Sequence, residues 1–175
     1  MVTIRPASSE DYAAVQSIYA QCISQAAWLP EDAKRSPVFA DVSHGEVVHL
    51  AMTGTCAVVG FVSVQVAEPF IHHLYVRPEE QGTSVGKILL DSLQAWLPQP
   101  WRLKCVLQNV GGLRFYRRCG WEEVDLGESE HGPFVLMCFH QSLNRSLQPT
   151  QSSCAGRTAE FKRYTAQNNL RFPKE

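Results

Sequence analysis

The most constraining feature of this chain is a strand, a helix and a second strand that follow one another between residues 70 and 107. The apolar segments FIHHLYV (70–76) and RLKCVL (102–107) predict the two strands. An apolar-periodic helix is predicted between them, from Gly86 to Leu97, where Pro98 ends it. A crossover of this kind makes its two strands parallel neighbours in one sheet.

The segments on either side of this unit predict antiparallel pairing. VVHLAM and VVGFVSVQV, joined by TGTC, predict a hairpin before it, and GWEEVDLG with PFVLMCFH predicts a closing hairpin after it. A strand at 2–5, a helix that Ser8 opens and a helix at 109–119 that Gly120 ends complete the pattern. The fold class is therefore α/β, with a mixed, mostly antiparallel sheet whose central parallel pair is flanked by helices.

Composition points to one ordinary globular domain. The chain has 175 residues, 45% of them hydrophobic, and a formal net charge of −1. Nothing in this balance attracts nucleic acid or an anionic membrane, so we expect a small molecule or a specific protein as partner. We place the main domain at 1–140 and a polar extension at 141–175, where Phe161, Tyr164 and Leu170 either anchor a short helix or belong to a flexible tail.

The cysteines and the N-terminus indicate a reducing compartment. The six cysteines contain no C-x-x-C pair, so they predict free, mostly buried thiols and no metal site. No signal peptide is evident, and no apolar run reaches the roughly 18 residues that a membrane span needs. We therefore expect a cytoplasmic protein.

The loop EEQGTSVGKILL, at 79–90, has the composition of an anion site at a helix N-terminus. It is not a Walker A motif, because Gly82 and Gly86 enclose three residues instead of four and Ile88 follows Lys87 where a Mg²⁺-binding hydroxyl is needed. It also lacks the G-x-G-x-x-G fingerprint of dinucleotide sites. Nucleotide binding is thereby disfavoured, and another phosphate ligand is favoured.

Two motifs resemble those of the GNAT superfamily of acetyl-CoA-dependent N-acetyltransferases, and the similarity in element order covers residues 2–140. The segment LYVRPEEQGTSVGKILL resembles the family's [QR]-x-x-G-x-[GA] loop, although Ser84 stands where the middle glycine is usual. The segment NVGGLRFYRRCGWEEV resembles the family's N-x-x-A-x-x-F-Y-x-x-x-G-[FW] helix; the matching residues are Asn109, Gly112 in place of alanine, Phe115, Tyr116, Gly120 and Trp121.

The resemblance implies how the chain binds acetyl-CoA. Backbone N–H groups of the loop would hold the CoA pyrophosphate, with added charge from Lys87; the loop residues are Gln81, Gly82, Thr83, Ser84, Val85, Gly86 and Lys87. A bulge would splay the 70–76 strand from its parallel neighbour, so that pantetheine pairs with Leu74, Tyr75 and Val76 and an N–H there polarises the thioester oxygen. We expect Ser84 in an ordinary helical or turn conformation, because a positive φ would cost serine about 1 kcal/mol or more.

Three positions of the second motif carry further expectations. Tyr116 matches the family tyrosine that protonates or hydrogen-bonds the departing sulfur; otherwise it is a core tyrosine of an amphipathic helix. Asn109 is expected near the cofactor and also as a helix N-cap, two roles that are compatible. Gly112 completes the predicted cofactor contacts of this helix.

The general base is predicted less sharply. His73, His72 and Glu68 are the candidates, with a water chain as the other possibility. Because neighbouring side chains alternate along a strand, we expect His72 and His73 on opposite faces, which also argues against a joint metal site.

The acceptor pocket is assigned to segments that often form its wall in the family. Trp28, Phe39 and His131 lie in these segments, although the aromatics also fit the core and His131 fits a solvated turn. The leading expectation is N-acetylation of a primary amine on a small molecule by direct attack on the thioester. The alternatives are a protein N-terminal or lysine acetyltransferase and a non-catalytic acyl-CoA-binding regulatory module. The apolar FVLMCFH strand is compatible with a homodimer.

Overall fold

In the computed structural model, which describes residues 1–140, the chain forms a mixed sheet with helices on both faces. Its strands are β1 (Thr3–Pro6), β2 (Val47–Met52), β3 (Val58–Gln65), β4 (Phe70–Val76), β5 (Trp101–Val106), β6 (Glu122–Ser129) and β7 (Gly132–Phe139). Its α-helices are α1 (Tyr12–Gln25), α2 (Phe39–Val42), α3 (Val85–Ser92) and α4 (Val110–Arg118). The predicted fold class is confirmed. The extension predicted at 141–175 lies outside the described residues and stays a prediction.

Within residues 1–140 the strands follow the order β1-β2-β3-β4-β5-β7-β6. All neighbouring pairs are antiparallel except β4 and β5, the parallel pair that the crossover predicts. The closing hairpin pairs as its sequence suggests, and its second strand, β7, is the one that lies against β5. The alternation of apolar and polar residues does not predict which strand of the hairpin lies against β5, because either strand can pair with it.

Apolar side chains on the two faces of the sheet form two separate clusters. The first packs α3 and α4 on one face; among its members are Val62, Val64, Ile71, Leu89, Leu93, Leu103 and Leu113. The second packs α1 and α2 on the other face; it includes Val15, Ile18, Tyr19, Phe39, Leu50 and Phe61. The central strands are therefore covered on both faces, whereas β6 at one edge is largely exposed. Ligands reach the central strands at their ends or where neighbouring strands separate.

Helix α4 begins and ends with the signals in its sequence. The Asn109 side chain accepts a hydrogen bond from the Gly112 N–H at 2.9 Å, as an N-cap does. At the other end Gly120 has φ +85°, and the Trp121 N–H donates to the Tyr116 carbonyl at 3.1 Å. The predicted N-cap and C-terminal stop are both present. Helix α3 is shorter than predicted, because a 3₁₀ turn at Leu93–Ala95 follows Ser92.

Candidate active site

The glycine-containing loop enters α3 with backbone donors directed outward. The Ile88 N–H is the first to donate within this helix, to the Ser84 carbonyl at 3.0 Å. The N–H groups of Val85, Gly86 and Lys87 precede that bond, and the first turn of a helix leaves such donors unsatisfied. The positive end of the helix dipole lies at the same place. This end of α3 therefore has the donors and the field that bind a phosphate group.

Ser84 does not have the ordinary conformation that the sequence analysis predicts. It is the N-cap of α3 and has φ +71° and ψ +1°, in the left-handed region. Gly82 is also left-handed, with φ +81°, so the loop needs two positive φ angles to turn into the helix. The prediction was wrong because it took the cost of a positive φ for serine as decisive, whereas the path of the loop into α3 imposes that angle. Serine pays about 1–2 kcal/mol for this conformation.

Replacing Ser84 tests this strain. We expect Ser84→Gly to raise the free energy of unfolding by up to about 1 kcal/mol, because glycine adopts positive φ without the Cβ penalty but loses more backbone entropy on folding. Urea denaturation at 25 °C measures the change. Ser84→Ala is the matched control, since it removes the hydroxyl and keeps the Cβ, and it should give no gain. Equal stabilities of the Gly and Ala variants would contradict strain at this position.

Lys87 forms an ion pair within α3. Its ammonium group pairs with the Asp91 carboxylate one turn further along α3, and that hydrogen bond raises the pKa of Lys87. Both side chains are about half exposed. Lys87 therefore reaches a ligand at the loop only by leaving an exposed ion pair, which costs little.

Strands β4 and β5 separate after two paired positions. Their parallel register covers Phe70↔Arg102 and Ile71↔Leu103, and β4 continues beyond these pairs to Val76. The Arg77 N–H donates to the Val59 carbonyl of β3 at 2.8 Å. In an antiparallel pair every second residue bonds to the neighbouring strand, so the backbone N–H and C=O groups of Val76 and Leu74 point away from β3 and toward the gap. The same alternation directs the backbone of Tyr75 to β3. Of the three predicted pantetheine contacts, Leu74 and Val76 are the two that face the gap.

The Val76 carbonyl already has two partners from the protein. It accepts from the Gln81 Nε2 at 3.1 Å and from the Cys22 Sγ at 3.3 Å. Burial raises the pKa of the Cys22 thiol to about 11, so this group is a protonated donor near neutral pH. These contacts tie the loop and α1 to the end of β4, which leaves Leu74 and the Val76 N–H as the open backbone groups.

Helix α4 lies directly against the start of α3. A Cβ on Gly86 would lie 3.2 Å from the Phe115 ring, so the absence of a side chain at Gly86 lets the two helices approach. A Cβ on Gly112 would lie 2.6 Å from the Asn109 amide nitrogen, which explains why glycine suits a helix whose cap occupies that space. The two sequence motifs are therefore in contact in the folded chain.

Tyr116 lies on α4 beside this junction. Its ring packs edge-to-face with Phe115 at 5.2 Å and Trp121 at 5.7 Å between centroids. Burial is the main cause that raises the pKa of its phenol, with smaller contributions from Cys105 and Cys119. The phenol therefore stays protonated across the physiological range and can only donate its proton or a hydrogen bond.

A bulge in β4 brings both predicted histidines to one carboxylate. His73 pairs with Ser63 and Ile71 pairs with Val64, so His72 is the extra residue between them. His72 Nδ1 lies 2.7 Å from one Glu46 oxygen, and His73 Nε2 lies 3.9 Å from the other. The expectation that the two side chains point to opposite faces was wrong, because a bulge interrupts the alternation on which it relied.

Glu46 is buried, with its side chain 3% exposed, at the start of β2. Burial acts to raise the pKa of its carboxyl, but hydrogen bonds from His72 and the Ser63 hydroxyl, with the nearby charge of His73, outweigh burial and lower it. Burial also lowers the pKa of His73, against the attraction of Glu46. The cluster thus combines an ionised carboxylate with a neutral His73 near pH 7.

Comparison with known proteins agrees with the fold and with the two motifs. The sequence model of the Acetyltransferase (GNAT) family matches residues 12–121. The chain belongs to the GNAT acetyltransferase family. The resemblance that the sequence motifs predict is confirmed. A sequence comparison with curated proteins finds no match.

Several solved GNAT structures have a similar fold. PaiA N-acetyltransferase from Thermoplasma acidophilum, in complex with coenzyme A, has a TM-score of 0.65 at 18% identity, over 78% of this chain and 98% of its own. A mutant of spermidine N-acetyltransferase SpeG from Vibrio cholerae has 0.62 at 16%, over 83% and 98%. A ribosomal-protein alanine N-acetyltransferase from Escherichia coli has 0.59 at 17%, over 85% and 100%. At these identities the likeness shows the fold alone.

The remaining site candidates of this GNAT domain lie in different places. Phe39 is 1% exposed, and its ring meets His73 edge-on at 5.4 Å, whereas Trp28 is half-buried against the α1 cluster. Glu68 is exposed in the turn between β3 and β4, two residues before β4 begins and six before Leu74. His131 lies in the β6–β7 turn, where its N–H donates to the Ser129 hydroxyl at 3.3 Å.

Sequence reasoning missed Glu46 and Cys22. Glu46 precedes an apolar strand, where a solvated carboxylate is the usual interpretation, and only the pairing of β2, β3 and β4 brings it to the histidines. Cys22 lies on the apolar face of α1, and its contact with Val76 depends on how that helix packs. No local pattern signals either residue.

The buried cluster gives this GNAT domain an acid-sensitive stability. The folded-state pKa of His73 is lowered below the ordinary value of about 6.5, and that of Glu46 is lowered below about 4.3. Both groups therefore bind protons more readily in the unfolded chain, so stability falls as the pH drops through these ordinary values. We expect the thermal midpoint to fall between pH 7 and pH 5, and to fall less steeply in His73→Gln. An equally steep fall in that variant would contradict the role of His73.

Within residues 1–140, every helix is too short or too polar to span a bilayer. In the same residues no group of three or more His, Cys, Asp or Glu side chains is arranged to hold a metal ion.

Proposed function

We propose that this GNAT domain transfers an acetyl group from acetyl-CoA to a primary amine of a small molecule by direct attack on the thioester. One observation carries the proposal: a Cβ on Gly86, in the first turn of α3, would contact both Phe115 of α4 and Val76 of β4. The donor-rich start of α3, the open backbone of β4 and the helix that carries Tyr116 therefore meet at one junction. These are the groups that a phosphate, an extended amide chain and a departing sulfur need, in that order.

The residues present fit acetyl-CoA, which supplies the activated acetyl group when it is bound. The N–H groups of Val85, Gly86 and Lys87 would hold the pyrophosphate, and the backbone of Leu74 and Val76 would pair with pantetheine. Asn109 keeps its structural role as the cap of α4, beside Gly112.

The chain must also manage two protons. The amine loses one when its nitrogen bonds to the acetyl carbon, and the sulfur gains one when the carbon–sulfur bond breaks. Tyr116 is the candidate donor to sulfur, because burial keeps its phenol protonated. The partly buried histidines of β4 are candidates to accept the proton from the amine, whereas the exposed position of Glu68 disfavours that carboxylate.

The acceptor is the least constrained part of the proposal. The structural relatives named above include an enzyme for spermidine and one for alanine of a ribosomal protein, so the fold serves both kinds of acceptor. A protein N-terminal or lysine acetyltransferase is thus the second candidate, and a non-catalytic acyl-CoA-binding module is the third. A cytoplasmic setting, a homodimer and the lack of nucleic-acid or membrane partners stay predictions from the sequence.

Thiol release from acetyl-CoA across a panel of acceptors tests the proposal. The panel pairs small amines, such as polyamines and amino acids, with peptides that carry a free N-terminus or an internal lysine. We expect turnover with at least one small amine that exceeds turnover with every peptide. Preference for a peptide would favour the second candidate. Tight CoA binding with no turnover on any acceptor would overturn the enzyme and favour the binding module.

A further inference from the structure

The bulge in β4 places His72 at a special position in the sheet. Its neighbour Ile71 is the last β4 residue that pairs with β5, and Leu74, two residues beyond His72, already faces the gap. His72 therefore lies where the two strands begin to separate. Its side chain is 17% exposed and that of His73 is 14% exposed, so the contacts of each ring, and not its exposure, distinguish the two histidines.

The partner of His72 fixes which ring nitrogen carries the proton. Nδ1 lies 2.7 Å from the Glu46 carboxylate, and an ionised carboxylate only accepts hydrogen bonds. Nδ1 must therefore be the N–H, which leaves Nε2 with the lone pair when the ring is neutral. An Nε2 lone pair is what a general base needs.

Other contacts fix the Glu46 carboxylate beside His72. Its second oxygen accepts a hydrogen bond from the Ser63 hydroxyl on β3, and the side chain is 3% exposed. A buried carboxylate persists as the anion only when such partners compensate for lost water. An anion fixed in this way favours the imidazolium form of its neighbour after proton transfer.

His73 is enclosed differently. Its ring packs against Tyr19, Phe39 and Tyr75 at centroid distances of 6.0, 5.4 and 6.1 Å, and its Nε2 faces the Val42 carbonyl at 3.5 Å and Glu46. An imidazole inside an aromatic cluster, with one nitrogen directed at its own protein, is poorly placed to meet an amine. The geometry of the bulge thus distinguishes two histidines that the sequence does not.

We propose that His72 Nε2 is the general base of the acetyl transfer and that Glu46 is its positioning residue. This inference rests on the proposed function. As the amine nitrogen bonds to the acetyl carbon and the carbon–sulfur bond breaks, the proton leaves nitrogen for His72 Nε2, and the sulfur receives one from Tyr116. Glu46 holds the ring orientation and stabilises the charge that His72 acquires.

The decisive kinetic variant is Glu46→Gln, which keeps the shape of the side chain and removes its charge. We expect kcat to fall about 10- to 100-fold, because the ring of His72 loses the partner that orients it, while the KM for acetyl-CoA stays within about threefold. A loss confined to kcat separates positioning of the base from support of the cofactor site.

Two further variants complete the set. His72→Gln should lose about 100-fold or more in kcat, and adding Glu46→Gln to it should cost little more, because both residues then act through one base. His140→Gln is the matched control, because His140 lies beyond the end of β7 with its side chain 46% exposed, and it should lose less than about threefold. A rise in the KM for acetyl-CoA that matches the loss of kcat in Glu46→Gln, or a larger loss of kcat in His73→Gln than in His72→Gln, would overturn the assignment.

A spectroscopic measurement keeps the proposal testable if the Glu46 variant fails to fold. Side-chain ¹⁵N NMR of the wild-type protein at pH 8 should show His72 in the Nδ1–H tautomer, and an Nε2–H tautomer would contradict the proposal. Failure of the proposed function can be distinguished from failure of the role given to Glu46. A wild-type protein that acetylates no acceptor overturns the proposed function and the base together. Wild-type turnover in Glu46→Gln overturns only the role of Glu46.

Discussion

Tyr116→Phe is expected to lower kcat by about 100-fold or more while the Kd for CoA changes by less than about threefold. The substitution removes one oxygen and keeps the ring that packs against Phe115 and Trp121, so α4 and its contact with α3 should stay intact. What is lost is the donor to the departing sulfur, and general acid catalysis typically contributes about 100- to 10,000-fold. Steady-state kinetics and calorimetric titration with CoA give the two quantities separately.

The raised pKa of Tyr116 refines this expectation. A phenol of ordinary pKa about 10 already gives its proton uphill to a thiolate whose conjugate thiol has a pKa of about 8.5, and burial raises the phenol pKa further. Its help is therefore hydrogen bonding to the sulfur as much as full transfer. Because the phenol stays protonated, the turnover of the wild type should show no alkaline loss from Tyr116 up to about pH 10.

Tyr12→Phe is the matched control for this substitution. Tyr12 is 42% exposed at the start of α1, away from the junction of β4, α3 and α4, so its hydroxyl should not matter. Equal losses of turnover and CoA affinity in Tyr116→Phe would indicate that the residue supports the binding site instead of the chemistry. Unchanged turnover would make it a core tyrosine, the alternative that its helical spacing already suggests.

The sequence was sufficient where the determining interactions are local or follow from chain order. Asn109 and Gly120 mark the ends of α4 because caps depend on neighbouring residues. The parallel pairing of β4 with β5 follows because a strand–helix–strand crossover has few alternatives. The phosphate-binding loop around Gly82 could also be predicted, because the local spacing of its glycines excludes other phosphate motifs.

The sequence was insufficient where one residue changes the geometry of its neighbours. The bulge at His72 has no residue signature, yet it reverses the facing of Ile71 and brings His72 to Glu46. Ser84 adopts a positive φ because the loop must turn into α3 in two steps, a demand that spacing does not reveal. The first error concerns side-chain direction, which depends on strand register, and the second concerns a backbone angle, which depends on the path of the loop.

Phe39→Ala is expected to lower the free energy of unfolding by about 3–5 kcal/mol, the usual cost of removing a buried aromatic ring. Phe39 is 1% exposed and meets Tyr19 at 5.4 Å and Phe61 at 5.0 Å between ring centroids. Its backbone N–H also donates to the Gln16 side chain at 2.7 Å, which fixes α2 against α1. Such a loss is a large share of the roughly 5–15 kcal/mol that stabilises a typical domain. Urea denaturation at 25 °C measures it.

Phe39→Leu separates the core role of this ring from the predicted role in the acceptor pocket. Leucine fills much of the same volume, so the variant should remain folded and lose less than the alanine variant. If Phe39 acts only as core, the KM for the amine stays near the wild-type value. If its ring also forms the pocket wall beside His73, that KM rises while the KM for acetyl-CoA does not. Trp28→Leu is the companion variant. Because Trp28 is only half-buried, its substitution should lower stability less, so a change in the KM for the amine can be measured on a well-folded protein. A stability loss below about 1 kcal/mol in Phe39→Ala would contradict the core assignment, since a ring this enclosed has no route to compensate for its removal.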